Sequence, residues 1–233
     1  MVNDNVRKKI IISADDFGRN KKASRNIVVL ARLGKLDRVG VMTQGIFSNE
    51  EIRELLNSGT ALDIHLNATE KVSSSSKTKE SVIKRGFLFL FNYFSKKNNV
   101  DAARKEWKEQ IIIFEKLFAK NPQGINSHHH THFFPKYFGV ILELSAKRSI
   151  PFIRFGREGL LEAKNGVAII INYLRRKDKK LFFGSKFESS DYLVSFDWIK
   201  NFDNFLNNLP EGKTELIFHP ERDEEFEAIM KYF

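Results

Sequence analysis

Residues 9–18 read Lys9-Ile10-Ile11-Ile12-Ser13-Ala14-Asp15-Asp16-Phe17-Gly18. The apolar part, residues 9–14, reads as a buried strand, and the strand ends on two adjacent carboxylates. Outward from it, three more polar motifs each close a short β-like run. His65 lies in Asp63-Ile64-His65-Leu66-Asn67-Ala68-Thr69. His128, His129, His130 and His132 lie in Asn126-Ser127-His128-His129-His130-Thr131-His132. His219 lies in Leu216-Ile217-Phe218-His219-Pro220-Glu221. These motifs hold all 6 histidines of the chain. Asp and His gathered at several strand ends point to a metal-centred site on an α/β scaffold.

Strand-like and helix-like segments alternate between the motifs. Residues 20–33 have helical spacing at Ile27, Leu30 and Leu33, with Gly34 as the stop. Residues 39–43 form a second strand. Residues 49–57 read as a short helix with Asn49 as its N-cap, and residues 62–66 as a third strand. Residues 70–80, with consecutive serines at 73–76, read as a mobile loop. Residues 81–97 are expected to be helical and are unusually aromatic. Residues 101–120 are amphipathic, with Trp107, Ile111, Phe114 and Phe118 on one face, and Asn121-Pro122 ends them. Residues 124–127 lead into the histidine cluster, 136–147 are helical and 151–155 make a strand. Residues 168–174 are an apolar helix or strand, and the basic run at 175–180 reads as a loop. A strand at 193–196, a helix at 198–206 and a strand at 215–218 follow. The alternation implies a parallel sheet, and about seven such units predict a barrel or barrel-like α/β sheet. A doubly wound open sheet is the alternative, weakened by the lack of a Gly-x-Gly-x-x-Gly or Walker A pattern. No internal boundary is visible, so residues 1–233 read as one domain.

The chain has 233 residues, 42% of them apolar, enough for a sizeable core. With no cysteine, a disulfide framework and a Cys-based zinc site are both excluded. Metal ligands must be histidine and carboxylate. The net charge of +10 admits anionic partners such as nucleic acid, lipid headgroups or anionic glycans, or simply a solvated lysine-rich surface. No signal-peptide h-region and no apolar stretch of transmembrane length is present, so a cytoplasmic location is expected.

Adjacent Asp15 and Asp16 on an extended backbone would project in different directions, so one could bind a metal while the other serves as a base. A turn or N-cap pair is the plainer alternative. His65, between Ile64 and Leu66, would alone be a hydrogen-bonded core residue. With His128 and a strand-end carboxylate it completes a three-ligand set with open positions, as in catalytic sites. Strand alternation would put His128, His130 and His132 on one side and His129 on the other. His219 could act as acid or base near neutral pH.

Together the motifs resemble the YdjC/ChbG family of carbohydrate deacetylases. Asp-Asp-Phe-Gly, the His-Leu-x-x-Thr around His65, the Ser-His-His-His-x-His run and the late His-Pro occur in the family's order over roughly residues 9–222. The resemblance implies a distorted TIM-like (β/α) barrel and one divalent metal ion per chain, magnesium by family habit. Zinc or another transition metal would suit imidazole ligands better. It implies Asp16, His65 and His128 as metal ligands, Asp15 as catalytic base, His219 as acid and Arg154 as the residue that orients the base. Two departures stand out: Asn126 where aspartate is common, expected to affect His128, and Asp63 where glycine is common. The chain also ends soon after His219, which suggests a short or missing final unit.

The implied reaction is metal-dependent removal of the N-acetyl group from an amino sugar in an oligosaccharide or glycolipid, releasing acetate. The expected partner is that N-acetylated carbohydrate, without nucleic acid; a homodimer is compatible with the sequence. Residues 70–95, which carry Phe87, Phe89, Phe91, Tyr93 and Phe94, are expected to border the sugar pocket. The rival readings are a phosphoesterase or sugar isomerase on the same barrel, which usually want more carboxylates or a second metal, and a non-catalytic basic glycan-binding protein.

Overall fold

The computed structural model describes residues 2–67 and 100–233. The expected Ser-rich loop and aromatic helix lie outside the described residues. A six-residue helix, α1 (Asp4–Lys9), leads into β1 (Ile10–Phe17). Ile10, Ile12, Ala14 and Phe17 are all at most 2% exposed, as a strand buried on both faces requires. Seven more strands follow: β2 (Arg38–Val41), β3 (Ala61–Leu66), β4 (Gly124–Ser127), β5 (Phe152–Ile153), β6 (Gly159–Leu160), β7 (Tyr192–Ser195) and β8 (Thr214–Phe218). The sheet order is β5-β4-β3-β2-β1-β8-β7-β6. Every strand pairing is parallel. The expected α/β barrel is therefore present, with eight strands among the described residues where about seven were expected. Its distortion is an opening: β5 and β6 stand at opposite ends of the strand order, and a single bridge from Phe152 to Glu188 reaches across that side.

The crossover helices bury one face each. α2 (Lys21–Arg32) is capped by the Asn20 side chain and buries Ile27, Leu30 and Ala31. α3 (Asn49–Asn57) is capped by Ser48 in a capping box with Glu51, one residue before the expected cap. α4 (Val100–Phe118) buries Trp107, Ile111, Phe114 and Phe118, the four residues of the amphipathic pattern. Each fully buried side chain of this kind contributes about 2 kcal/mol. α5 (Pro135–Arg148) and α6 (Gly166–Phe183) follow, then α7 (Phe202–Asn207) and α8 (Asp223–Tyr232).

Several expectations are corrected. The basic run at 175–180 is the second half of α6 rather than a loop. Its charges are spaced so that Arg175 and Asp178 turn inward with Ala168, Ile171, Leu174 and Phe182. Arg175 donates to the Gly156 carbonyl at 2.8 Å and lies over the Phe155 ring, so its long stem is buried while its head is satisfied. The helix expected at 198–206 splits into a 3-10 turn (Phe196–Trp198) and α7. The final unit, expected to be short or missing, is present, with the 10-residue α8 packing Ala228 and Ile229 against the core after β8.

Candidate active site

Parallel strands carry all their carboxyl ends to one end of the sheet, which is where the motifs meet. Asp15 directly follows the last regular pair of β1, where Ala14 stands opposite Phe218 of β8, so His219 leaves its strand beside Asp15. His65 of β3 stands opposite Asn126 of β4, and His128 follows β4 directly.

Asp16 departs from the expected extended backbone. Its φ is 72°, in the left-handed region, and the β1–β2 register slips between Ala14 and Phe17. A non-glycine residue held there costs roughly 1–3 kcal/mol and persists only where its surroundings enforce it. The kink turns the two carboxylates to different neighbours. Asp16 Oδ2 accepts from Arg19 Nη1 at 2.7 Å. Asp16 Oδ1 lies 3.1 Å from His128 Nδ1 and 3.3 Å from His65 Nε2. The two imidazole nitrogens are themselves 3.3 Å apart. Asp16 Oδ1 is buried without a hydrogen-bond partner, despite these close nitrogens. Three lone-pair donors of a carboxylate and two imidazoles thus face one point. Points 2.0–2.2 Å from all three corners of such a triangle lie just off its plane, the ordinary range for zinc or magnesium ligands. Asp16, His65 and His128 form a group able to hold a metal ion.

His65 is set up by Asn126, whose Oδ1 makes a short hydrogen bond with His65 Nδ1. An amide oxygen only accepts, so Nδ1 carries the proton and Nε2 presents its lone pair to the cluster. Asn126 therefore bears on His65 rather than on His128, the residue it was expected to affect. Asp63, the other departure, is held by Arg38 at 2.6 and 2.8 Å and has no part in the cluster.

Asp15 is 2% exposed and is clamped by Arg154: Nη1 donates to Oδ2 at 2.6 Å and Nη2 to Oδ1 at 3.0 Å. Gly40 makes room, since a Cβ there would sit 2.6 Å from Asp15 Oδ1. Arg154 is 1% exposed and its Nε donates to Glu215 Oε1 at 2.7 Å, an oxygen that also accepts from Ser13 Oγ at 2.7 Å. Burial alone would raise the Asp15 carboxyl, but Arg154 and His65 outweigh it and hold Asp15 far below the usual carboxylate range. Asp16 is likewise held down against burial by His128 and His65. Burial works against a charge on His65, but Asp15 and Asp16 push its pKa up.

His219 follows β8, and its backbone N–H donates to Glu225 Oε2 at 2.5 Å. Its Nδ1 lies 3.6 Å from the same oxygen, an ion-pair separation rather than a hydrogen bond. Burial would lower its pKa, yet Glu225, Asp16 and Asp15 raise it to about 9.

The histidine cluster does not alternate as an extended strand. Residues His128–Phe133 form a 3-10 turn in which His129 and His130 are left-handed, with φ of 55° and 54°. Only His128 of the run joins the metal group. His132 is a structural tie: its Nε2 donates to the Arg154 carbonyl at 3.0 Å, which leaves Nδ1 to accept from Ser127 Oγ at 2.7 Å. That hydroxyl in turn accepts from Thr131 Oγ1 and the His132 amide, both at 2.9 Å. The turn that carries His128 is thereby tied to the backbone of Arg154. All six expected residues lie at or just beyond the carboxyl ends of their strands. Glu215, Glu225 and Arg19 were missed. A glutamate inside the apolar run of β8 was the one signal for Glu215; Glu225 and Arg19 look like ordinary surface charges.

The profile of the YdjC-like protein family matches residues 9–232, and the chain belongs to that family. A carbohydrate deacetylase of Thermoanaerobacter pseudethanolicus is 27% identical over 97% of this chain and 86% of its own length. A chitooligosaccharide deacetylase of Citrobacter koseri is 23% identical over 68% of this chain and 63% of its own length. A solved structure from Enterococcus faecalis V583, named for cellobiose-phosphate cleavage, aligns with a TM-score of 0.57 at 18% identity. It covers 90% of this chain and 80% of its own, and shares the fold.

Proposed function

We propose that this chain is a metal-dependent carbohydrate N-deacetylase, a single domain that hydrolyses the N-acetyl group of an amino sugar. The observation that carries the reading is the pairing of a three-atom metal group at Asp16, His65 and His128 with a separate carboxylate, Asp15, clamped by Arg154. The names of the relatives support the substrate class. A divalent cation held by the three residues would supply Lewis acidity toward an amide carbonyl and its attacking water. Magnesium follows family habit, and zinc follows the imidazole ligands.

Asp15 takes the proton of the water as its oxygen bonds to the acetyl carbon. Arg154 keeps the carboxylate anionic and fixed in orientation, and Glu215 fixes Arg154 from behind. His219, whose protonated form Glu225 and the two aspartates favour, donates to the departing nitrogen as the C–N bond breaks. Acetate and a free amine leave. Incubating the metal-loaded protein with N-acetylated oligosaccharides and glycolipids tests the reading. Equal amounts of acetate and new primary amine are expected, and release of neither from any N-acetylated sugar overturns it.

A further inference from the structure

The basic run at 175–180 has no place in the site. In the fold it becomes part of an outward face of unusual composition. Six of the ten large apolar side chains exposed among the described residues lie on α6: Val167, Ile169, Ile170, Tyr173, Leu181 and Phe183. Tyr173 is 58% exposed and Ile169 54%. The same helix exposes Arg176, Lys177, Lys179 and Lys180. Its one acidic residue, Asp178, faces inward and is 1% exposed. Nothing on the outer surface of α6 therefore offsets its cations. Charge and apolar surface are interleaved: Lys177 Nζ sits 4.8 Å from the Tyr173 ring, and Lys179 Nζ and Arg157 lie 5.4 and 5.7 Å from the Phe183 ring. The opposite face is committed to the core through Ala168, Ile171, Leu174 and Phe182, so the outer face cannot turn inward.

We propose that the outer face of α6 docks on an anionic lipid surface. A second copy of the same face would bring like cations together without a carboxylate of α6 to pair them. A nucleic acid would use the cations but leave Ile169, Ile170 and Leu181 in water. A bilayer interface takes both, with apolar side chains in the acyl boundary and lysine and arginine among headgroup phosphates. Among the described residues no helix is long and apolar enough to cross a membrane, so the contact is peripheral. α6 follows β6, which puts its apolar amino-terminal half toward the catalytic end of the barrel. The proposal stands apart from the deacetylase reading.

The test is flotation of the full chain with vesicles of phosphatidylcholine alone and of phosphatidylcholine mixed with phosphatidylglycerol. Binding to the mixed vesicles and little to the neutral ones is expected, weakening with salt. Combining Arg176→Glu, Lys177→Glu and Lys180→Glu should reduce partitioning about 100-fold or more, since each cation near an anionic surface contributes roughly a fivefold gain. Combining Ile169→Ser, Ile170→Ser and Tyr173→Ser should reduce it at least about tenfold. All six side chains lie on the outer face, so melting temperature and metal content should stay unchanged, which separates lost docking from lost folding. Absence of binding to mixed vesicles overturns the proposal, as does equal binding by the charge-reversed variant. Self-association that the serine variant abolishes, without vesicle binding, would assign the face to a second copy. Vesicle-independent binding of a DNA duplex, lost only in the charge-reversed variant, would assign it to nucleic acid.

Discussion

Asp15 and Asp16 are neighbours in sequence, yet they occupy two differently built halves of one site. The Asp15 half is a relay of charges with defined hydrogen bonds, Asp15–Arg154–Glu215–Ser13, in which Arg154 has both its carboxylate partners. The Asp16 half leaves Oδ1 without a hydrogen bond between two imidazole nitrogens. In the first half every charge has an opposite charge in contact, with Glu215 Oε2 the one oxygen left without a hydrogen bond. The other half is arranged as protein usually arranges itself around a cation. A single left-handed residue separates them, because the φ of 72° at Asp16 breaks the strand geometry that would otherwise set the two carboxylates simply on opposite faces.

The strongest expected break of this comparison is Asp15→Asn. It keeps the shape and removes the proposed base, so kcat should fall about 10²–10⁴-fold with metal content retained. Steady-state kinetics beside elemental analysis checks it; a kcat within threefold of the parent denies Asp15 its role. Arg154→Met strikes the same half through its scaffold. It leaves two buried carboxylates without their shared cation, at a cost of about 3–5 kcal/mol in stability. Denaturant unfolding of the metal-free protein measures this, and an unchanged midpoint would mean the clamp is not formed in solution.

Glu215→Gln is gentler. An amide oxygen can still accept from Arg154 Nε, so a loss of roughly 1–3 kcal/mol in stability is expected, with kcat reduced less than in Asp15→Asn. A kcat effect equal to that of Asp15→Asn would make Glu215 a partner in the chemistry rather than a support for Arg154.

The smallest effect is in pH. His219 has a raised pKa, so its protonated form contributes stability fully below its ordinary value of 6.5, and that contribution is lost as pH rises through about 9. The acid role predicts that kcat/KM of the metal-loaded protein declines as His219 loses its proton, at a pH below that at which the metal-free imidazole titrates. NMR titration should find the metal-free imidazole protonated at pH 8, and a cation bound at the Asp16 half should lower the value by repulsion. A His219 that titrates at its ordinary value in metal-free protein would contradict the contribution of Glu225 and the two aspartates.

How much of this could be read in the sequence depended on whether local pattern carried the information. The run at 10–12 is continuous and apolar, so β1 was plain, and strand-end carboxylates and imidazoles marked the Asp15-Asp16 pair, His65 and His128, whereas the choice of Asp16 over Asp15 as ligand came through family resemblance. β5 and β6 are two residues long, too short for any periodicity, and β6 went unseen. Arg154 just past β5 was reached only through family resemblance. Residues 175–180 looked solvated because they are charged, although Arg175 and Asp178 fall on the helical stripe that faces inward. The left-handed His129 and His130 are set by the tie from Ser127 and His132 to Arg154, a tertiary contact that spacing along the chain does not encode. Glu215 is paired across the sheet with a residue 61 positions away, and only the fold brings the two together.

The most direct test of the two-halves account is metal stoichiometry of the parent, Asp15→Asn and Asp16→Asn proteins after dialysis against the same divalent ion. The account predicts one ion per chain in the parent and in Asp15→Asn, and little or none in Asp16→Asn. Equal loss in both variants, or full retention in both, would contradict it.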